Sequence, residues 1–206
     1  MAENEVVATD PDAARMAALM ERYCAGEVAA FHALYTALAP RILGYLTGLA
    51  GDRASAEDLL QQTFMKLHEA RPAYVRGANP VPWVYTIAHR TCLDEIRRRK
   101  RARVRVSSDG TLPYEPSVGI TGAVDPQPAY DEATVARGMA ALATLPAPLR
   151  QAVLLTKIHG HSSAQAASIA GTTVGAIKVR AHRGYLALRR KLAGTPTEAV
   201  PAVGAS

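Results

Sequence analysis

Cysteine and aromatic residues are scarce in this chain of 206 residues, which holds two Cys, two Phe, eight Tyr and a single Trp. Cys24 and Cys92 are too few for a disulfide framework or a metal-ligand set, and we interpret both as small apolar side chains of a protein in a reducing compartment. No apolar run approaches the about 20 residues that span a bilayer, and the polar start MAENEVVATD does not resemble a signal peptide. We therefore expect a cytoplasmic protein with no direct membrane insertion.

Patterns typical of catalysis are missing as well. The sequence has no glycine-rich phosphate loop, no nucleophile elbow and no paired catalytic carboxylates. His159 and His161 have the spacing of two metal ligands, but no nearby Cys or acidic cluster completes a site, so a turn is the better interpretation. The sequence predicts neither an enzyme nor a bound cofactor or metal.

Positive charge is concentrated in two segments of the chain. Residues 81–105 hold eight Lys or Arg and two acids, and residues 171–193 hold six Lys or Arg and no acid, so each segment carries +6. The rest of the chain carries −6. Two basic segments on an otherwise acidic protein favour two contacts with a polyanion over solvated helix ends.

Hydrophobic spacings of three and four residues recur along the chain and strand patterns do not, so the sequence predicts an all-α fold. One helix is predicted from Glu27 to about Ala50. A second helix is expected to open with a capping box of Ser55 and Asp58 and to stop before Pro72.

A third helix is predicted over 81–103, and its two sides differ. At about 100° per residue its apolar side chains share one side, whereas Trp83 lies on the opposite side with Arg90, Arg97 and Arg101. The single tryptophan is therefore expected to be exposed on a basic surface.

Residues 106–130 differ in composition from the helical segments, with four Pro, three Gly and no Lys or Arg. Because a folded domain seldom contains so long a stretch without secondary structure, we interpret it as a flexible Pro/Gly linker. It would join two small helical domains, residues 13–105 and 131–193. The chain ends, 1–12 and 194–206, are expected to be flexible.

A helix-turn-helix is predicted within the second domain. Ser162 and Gln165 form a capping box before a short helix of small residues, and Gly171 stands where a helix end favours a left-handed residue. A longer basic helix then runs from Val174 to about Leu192.

That longer helix has a packing stripe of Ile177, Ala181, Tyr185, Leu188 and Leu192. Its other side carries small and basic residues, preceded by two possible caps: Thr172, Thr173, Gly175, Ala176, Lys178, Val179, His182 and Arg183. Small residues permit close approach to a DNA groove, and Lys178 and Arg183 offer donors to guanine edges or phosphates.

Three stretches resemble, in the same order, motifs of the extracytoplasmic-function (ECF) RNA polymerase sigma factors. They are AEDLLQQTF at 56–64, WVYTIAHRTCLD at 83–94 with RRRKR at 97–101, and SSAQAASIAGTTVGAIKVRAHRGYLALRRKL at 162–192. In that family the first docks on core polymerase, the second melts the promoter −10 element and the third binds the −35 element. The resemblance implies a factor that directs RNA polymerase to promoters and is not itself an enzyme.

The resemblance implies three sets of functional residues. Binding to the clamp helices of the polymerase β′ subunit would use Asp58, Gln61, Gln62 and Phe64. Melting of −10 promoter DNA would use Arg76, Gly77, Ala78, Asn79, Trp83, Thr86, Arg90, Arg97 and Arg101, the first four at a pocket for a flipped base. Binding of the −35 element would use Lys178, Val179, His182 and Arg183 with the small and capping residues named above.

It also implies an inhibitory partner. An anti-sigma factor, in this family often anchored in the inner membrane, would cover the polymerase-binding and DNA-binding faces together. A linker of about 25 residues is long enough to let both domains fold against such a third body.

Four positions depart from the family pattern. Arg90 stands where Asn is common, Thr86 replaces a frequent Arg, Val179 replaces Ser and Gln62 replaces an acid. These differences concern the promoter sequence that is read rather than the family. By residue type alone, Asp58 is as suited to capping its helix as to binding polymerase, and Phe64 is as suited to packing in a core.

From the residues alone, two rival functions stay open: a one-component helix-turn-helix regulator that binds DNA without polymerase, and a pure interaction adaptor. The second basic helix with Trp83 separates them from a sigma factor. A repressor needs one DNA-reading domain, whereas a polymerase specificity factor needs two, held apart by a linker.

Overall fold

The computed structural model describes residues 11–107 and 132–193, and all regular structure within these ranges is helical. The helices are α1 (Pro11–Cys24), α2 (Val28–Ala50), α3 (Arg53–Ala70), α4 (Pro80–Ser107), α5 (Glu132–Ala143), α6 (Ala147–Val153), α7 (Ser163–Ala170) and α8 (Val174–Ala193). A short 3-10 turn, Arg71–Ala73, follows α3, and a π turn, Leu154–Ile158, follows α6. The predicted all-α fold is confirmed. None of the helices in these ranges is long and apolar enough to cross a membrane.

The predicted linker, 106–130, lies almost wholly outside the described residues. Its first two positions are described, and they are helical because α4 continues to Ser107. The helix also begins at Pro80, just before the predicted start. Proline is tolerated there because the first turn of a helix leaves its backbone N–H groups without helical partners anyway.

Helices α1–α4, here called the N-terminal domain, enclose a core to which α2 contributes most. Its largest fully buried side chains are Met16, Met20, Leu34, Leu38, Ile42, Tyr45, Leu46, Leu59, Leu67 and Tyr85. The rings of Tyr45 and Tyr85 lie 5.2 Å apart, so α2 and α4 meet through aromatic packing.

Helix α1 was not predicted from the sequence, in which the first expected helix begins at Glu27. Proline at its first position and buried Met16, Met20 and Tyr23 at helical spacing mark it in the structure. The side chain of Tyr23 also reaches α3, where its hydroxyl lies 2.6 Å from Nδ1 of His68. The helix is therefore an integral part of the N-terminal domain.

The predicted capping box at Ser55 is wrong. Helix α3 begins at Arg53, and its cap is Asp52, whose carboxylate accepts a hydrogen bond from the Ser55 amide at 2.7 Å. Ser55 lies inside the first turn, and its hydroxyl accepts from the Arg99 guanidinium at 2.9 Å. Gly51, which is left-handed at φ +88°, ends α2 at Ala50, the predicted end of this helix.

Helices α5–α8, here called the C-terminal domain, contain the predicted helix-turn-helix. Ser162 and Gln165 form both hydrogen bonds of the capping box, and Gly171 ends α7 in the left-handed region at φ +60°. These local predictions are confirmed.

The predicted packing stripe of α8 is correct at Ile177 and Ala181 but wrong at Tyr185 and Leu192, which are about half exposed. Gly184 is buried instead, and a Cβ there would lie 2.7 Å from Cγ2 of Val153. Helix α6 approaches α8 so closely at this point that only glycine fits.

The two domains were expected to be held apart by the linker. In the structure they are in contact. Helices α2 and α4 contact α6, the π turn and α7, and the buried apolar side chains of both domains form one continuous cluster. This contact, between α2 or α4 and residues 147–170, is called the junction below.

Candidate nucleic-acid interface

The residues predicted to bind the −35 element form one exposed strip on the first half of α8, called the α8 face. Gly175, Lys178, Val179, His182 and Arg183 are exposed, and Ala176 is half-buried. The buried side of the same turns is made of Ile177, Ala181 and Gly184. The strip therefore faces solvent while its opposite side packs in the domain.

Thr173 fixes where α8 begins. Its hydroxyl accepts a hydrogen bond from the Ala176 amide at 3.2 Å, so Thr173 is the cap, and Thr172 lies half-buried before it. Nothing lies within 4 Å of the position that a Cβ on Gly175 would take. The fold itself does not require glycine there, and a flat, open helix start suits insertion into a major groove.

The residues predicted to melt DNA lie on the 74–79 loop and along α4, a surface called the α4 face. Arg76, Gly77 and Ala78 are exposed and Asn79 is half-buried. The loop is held in place by hydrogen bonds: the Gly77 amide donates to Oε1 of Glu21 at 2.8 Å, and Oδ1 of Asn79 accepts from the Val81 amide at 2.9 Å. Asn79 thereby also caps α4.

Trp83 is not freely exposed, which corrects the prediction. Its ring is half-buried and lies 6.0 Å from that of Tyr74, at an angle of 34°. The Tyr74 hydroxyl donates to the carbonyl of Ala78, so the aromatic pair is continuous with the loop. Thr86 is also half-buried, and its hydroxyl donates to the Pro82 carbonyl at 2.9 Å.

The second half of the α4 face is basic, and its two acids pair within the helix. Glu95 binds Arg98 and Arg99, each at 2.7 Å, and the hydrogen bonds from these two residues lower its pKa to about 2. Asp94 contacts Arg97 at 3.4 Å. Arg90 and Arg101 are exposed, so the surface keeps its positive charge.

The residues predicted to bind polymerase do not all share one surface. Asp58, Gln61 and Gln62 are exposed along one side of α3, called the α3 face. Phe64 is only 4% exposed, and its ring packs 4.7 Å from that of Tyr35. The phenyl ring therefore belongs to the core, the alternative that the sequence left open.

Two apolar residues beside the α3 face were missed by the sequence analysis. Met65 is 63% exposed, and Tyr35, which packs on Phe64, is partly exposed on α2. The sequence carries no signal for either residue, because the position of Tyr35 also fits the helical spacing of core residues on α2. An exposed apolar edge next to polar residues is typical of a protein-binding surface.

His159 and His161 lie at the junction. No group of three or more His, Cys, Asp or Glu in the described ranges could hold a metal ion. The hydroxyl of Tyr85, on α4, lies 3.1 Å from Nδ1 of His159. Of the two cysteines, Cys92 is buried as expected, whereas Cys24 is exposed.

A helix-turn-helix domain joined to a second domain with a basic, aromatic face defines a class of DNA-binding transcription factor. Comparison with known proteins gives the family. Sigma-70 region 2 matches residues 34–102, and Sigma-70, region 4 matches residues 139–188.

The chain is similar to two curated sigma factors over most of both lengths. It is 34% identical to RNA polymerase sigma factor CarQ of Myxococcus xanthus, over 84% of this chain and 95% of that protein. It is 32% identical to ECF RNA polymerase sigma factor SigF of Caulobacter vibrioides, over 86% and 94%.

Among solved structures, the sigma factor RpoE of Bartonella quintana, in complex with the anti-sigma factor NepR, has a TM-score of 0.67 and 27% identity, over 81% of this chain and 98% of that one. The chain belongs to the ECF family of RNA polymerase sigma factors. Members of this family are transcription initiation factors rather than enzymes, so the family prediction is confirmed and the one-component regulator is not favoured.

Proposed function

We propose that the chain binds core RNA polymerase and divides promoter recognition between its two basic surfaces. The α8 face would bind the −35 element, and the α4 face would open the −10 element. The observation that carries this division is that each surface lies in a different domain, and each domain matches a different sigma-factor region.

On the α8 face, Lys178 and Arg183 are the donors suited to guanine edges or phosphates. Val179 is 49% exposed and can contact a thymine methyl, but it cannot form a hydrogen bond. His182, also exposed, lies between them on the helix. This set predicts readout of a short duplex segment by one major-groove helix.

On the α4 face, the aromatic pair of Trp83 and Tyr74 provides stacking surface for unpaired bases. Arg90, Arg97 and Arg101 continue along the same helix, where they can hold the phosphate backbone. The ordered 76–79 loop lies at the start of that helix. This arrangement supports the proposal that a flipped −10 base is held near Asn79.

The α3 face is proposed as the contact with the clamp helices of the polymerase β′ subunit. Asp58, Gln61 and Gln62 supply polar groups, and Met65 with Tyr35 supplies apolar area at its edge. The first of the domains proposed from the sequence, 13–105 and 131–193, needs an extension at both ends, because α1 begins at Pro11 and α4 continues to Ser107.

An anti-sigma factor is proposed as the inhibitory partner, acting in the cytoplasm. The support is the similar sigma factor of Bartonella quintana, whose structure is that of a complex with an anti-sigma factor. In this proposal any attachment to a membrane belongs to the anti-sigma factor and not to this chain.

Run-off transcription tests the proposed function. Transcripts from a cognate promoter should require both core polymerase and this chain, with no specific promoter binding by the free chain alone. A variant with Asp58, Gln61 and Gln62 changed to Ala should fold but lose transcription. Tight palindromic DNA binding without polymerase would contradict the proposal.

A further inference from the structure

A cavity of 90 Å³ lies where the two domains meet. The N-terminal domain lines it with residues from α1, α2 and the start of α4, and the C-terminal domain lines it with residues 159–161 and Gln165. The cavity therefore exists only while the junction is closed, that is, while the C-terminal domain lies on α2 and α4. Since one water needs about 10–15 Å³ of such volume, the cavity has room for a small ion of several atoms.

Two imidazole rings line the cavity, and each has a buried nitrogen without a partner. Nε2 of His159 and Nε2 of His161 make no hydrogen bond within the described ranges. His161 is only 7% exposed, and both rings pack against the ring of Tyr85, with centroids 5.5 Å and 4.3 Å away. The two nitrogens are thus held in place at a cost in free energy that a bound polar group would remove.

The surroundings of His159 make its unpartnered nitrogen a donor. Nδ1 of His159 lies 3.1 Å from the Tyr85 hydroxyl, and burial raises the pKa of Tyr85 to about 12, so the hydroxyl keeps its proton. Arg41 approaches the same hydroxyl as a hydrogen-bond donor, which leaves the hydroxyl proton for Nδ1. Burial lowers the pKa of His159 to about 4, so the ring is neutral near pH 7 and carries its one proton on Nε2.

Two side-chain amides that line the cavity add further donors. Oδ1 of Asn79 accepts from the Val81 amide at 2.9 Å, and Oε1 of Gln165 accepts from the Ser162 amide at 2.9 Å. Because a backbone N–H can only donate, these two contacts fix which atom of each side-chain amide is the oxygen. The NH2 group of each amide is left available as a donor.

Arg41 gives the cavity its positive charge. After burial, the charge of Arg41 also lowers the pKa of His161, so the guanidinium lies close to this ring. Asp12 is the one acid among the lining residues, and its carboxylate lies 3.5 Å from Arg41 and 3.1 Å from Arg15. Two arginines and one acid leave a net charge of +1 beside a cavity rich in donors. Such a set of groups suits an anion.

We propose that this cavity binds a small oxyanion of the phosphate class, held by Arg41, His159 and the amides of Asn79 and Gln165. The ligand is inorganic phosphate or the terminal phosphate of a small metabolite. A phosphate within a DNA strand does not fit, because it carries a sugar on both sides. Because both domains supply donors, the bound anion connects them. The inference goes beyond the proposed function and does not depend on it.

Inorganic phosphate, titrated into the full chain at constant ionic strength, tests the site. We expect saturable binding by isothermal titration calorimetry and displacement of the Cε1–H NMR signals of His159 and His161. The signal of His32, exposed on α2, is the internal reference and should stay in place. Adenosine 5′-monophosphate is the second probe. Tighter binding of phosphate would identify the free ion, and tighter binding of the monophosphate would identify a phosphorylated metabolite.

Removal of the positive charge tests the role of Arg41. Arg41→Gln should weaken phosphate binding about tenfold or more, because a charged donor is lost. Arg53→Gln is the matched control, since the side chains of Arg41 and Arg53 are 42% and 43% exposed and each contacts a carboxylate. This control should change the affinity by less than about twofold, because an exposed charge elsewhere is screened.

A second pair of variants adds a negative charge instead. Ala13→Asp places a carboxylate at the lining of the cavity and should weaken phosphate binding about tenfold or more by repulsion. Ala14→Asp, exposed one residue farther along α1, is the control and should bind as the parent does. Both substitutions lie in the first turn of α1, where an acid is favourable, so both variants should fold.

The outcomes separate this inference from the proposed function, because the binding measurements involve neither polymerase nor promoter. Failure of both probes to bind saturably would overturn the proposal, since water alone would then meet the unpartnered nitrogens. Equal losses in the site variants and their controls would also overturn it, because the anion would then bind the basic surfaces in general. Neither result would alter the sigma-factor assignment, and a failed transcription assay would leave the anion site unaffected.

Discussion

The α8 face and the α4 face are both basic, but the structure prepares them differently. On the α8 face Gly175, Lys178 and Arg183 project from a helix whose opposite side is fixed by packing. On the α4 face the groups are already engaged within the protein: Trp83 packs on Tyr74, and Arg97 contacts Asp94. In the proposed roles, the α8 face would meet an intact duplex as it stands, whereas the α4 face would have to rearrange internal contacts to take up a single strand.

Acid should have the largest effect, because it acts on the junction and favours separation of the two domains. Burial lowers the pKa of His159 and of His161 from 6.5 to about 4. The positive charge of Arg41 lowers both pKa values further, and His161 also lowers the pKa of His159. Burial, followed by the charges of Arg90 and Arg97, likewise lowers the pKa of His89, whose ring lies 3.0 Å from the Gln151 amide.

A histidine whose pKa is lower in the closed state is neutral in both states above pH 6.5 and does not affect closure there, but it opposes closure increasingly as the pH falls below that value. For one histidine that titrates at 6.5 when open and at about 4 when closed, the equilibrium at pH 5 shifts about 30-fold toward the open form. The distance between a spin label on Cys24 and a spin label on the variant Arg189→Cys should therefore lengthen from pH 7.5 to pH 5. The double variant His159→Gln/His161→Gln should respond less, and an unchanged parent distance would contradict the account.

The next largest effect is expected on the α8 face. Lys178→Ala or Arg183→Ala should weaken binding of polymerase holoenzyme to the −35 element by about 1–3 kcal/mol if either side chain makes a bidentate base contact. Arg189→Ala, exposed farther along the same helix, is the charge-matched control and should have little sequence-specific effect. Equal losses in all three variants, measured by competition with scrambled DNA, would show that the face contributes only charge.

A smaller and different defect is expected on the α4 face. Trp83→Ala should leave closed-complex binding nearly intact and reduce strand opening about tenfold, the lower part of the range for loss of one base stack. Trp83→Phe should retain most of the opening, since a ring remains beside Tyr74. Permanganate reactivity of unpaired thymines reports opening directly, and normal reactivity with Trp83→Ala would remove this side chain from the melting surface.

The smallest effect is expected from weakening α7, the first helix of the helix-turn-helix. Ser162→Ala removes the capping box of α7 and should lower the free energy of unfolding by about 1 kcal/mol, measured by urea denaturation. Ser163→Ala, one residue inside the helix, is the neighbouring control and should change it by less than about 0.5 kcal/mol. Equal changes in both variants would mean that the hydroxyl of Ser162 contributes nothing special.

Local signals were predictable from the sequence, and contacts between distant residues were not. The capping box at Ser162 and the left-handed Gly171 depend on residues within one turn, so the helix-turn-helix was predicted correctly. Asp52 was missed as the cap of α3 because Ser55 offers an equally good local pattern three residues later. Which of two neighbouring side-chain acceptors caps the helix depends on the path of the backbone, and the sequence alone does not give that path.

The candidate site was predicted in outline for the same reason. Helical spacing placed Lys178 and Arg183 on an exposed strip, but the half-burial of Trp83 depends on Tyr74, which lies in a loop with no periodic pattern. The junction was not foreseen at all. It depends on Gly48 meeting Leu154, more than a hundred residues away, and a glycine within a helical stripe carries no signal of what it will face.

The π turn after α6 gives this molecule an unusual route for change. Its wide loop, closed by the hydrogen bond from the His159 amide to the Leu154 carbonyl at 2.9 Å, holds one residue more than an α-helical turn. Because such a turn accommodates one extra residue locally, deleting a single codon within it would restore an ordinary α-helical turn. Because His159 directly follows this turn and meets the Tyr85 hydroxyl, the deletion would alter the contact between the domains while leaving α8 unchanged.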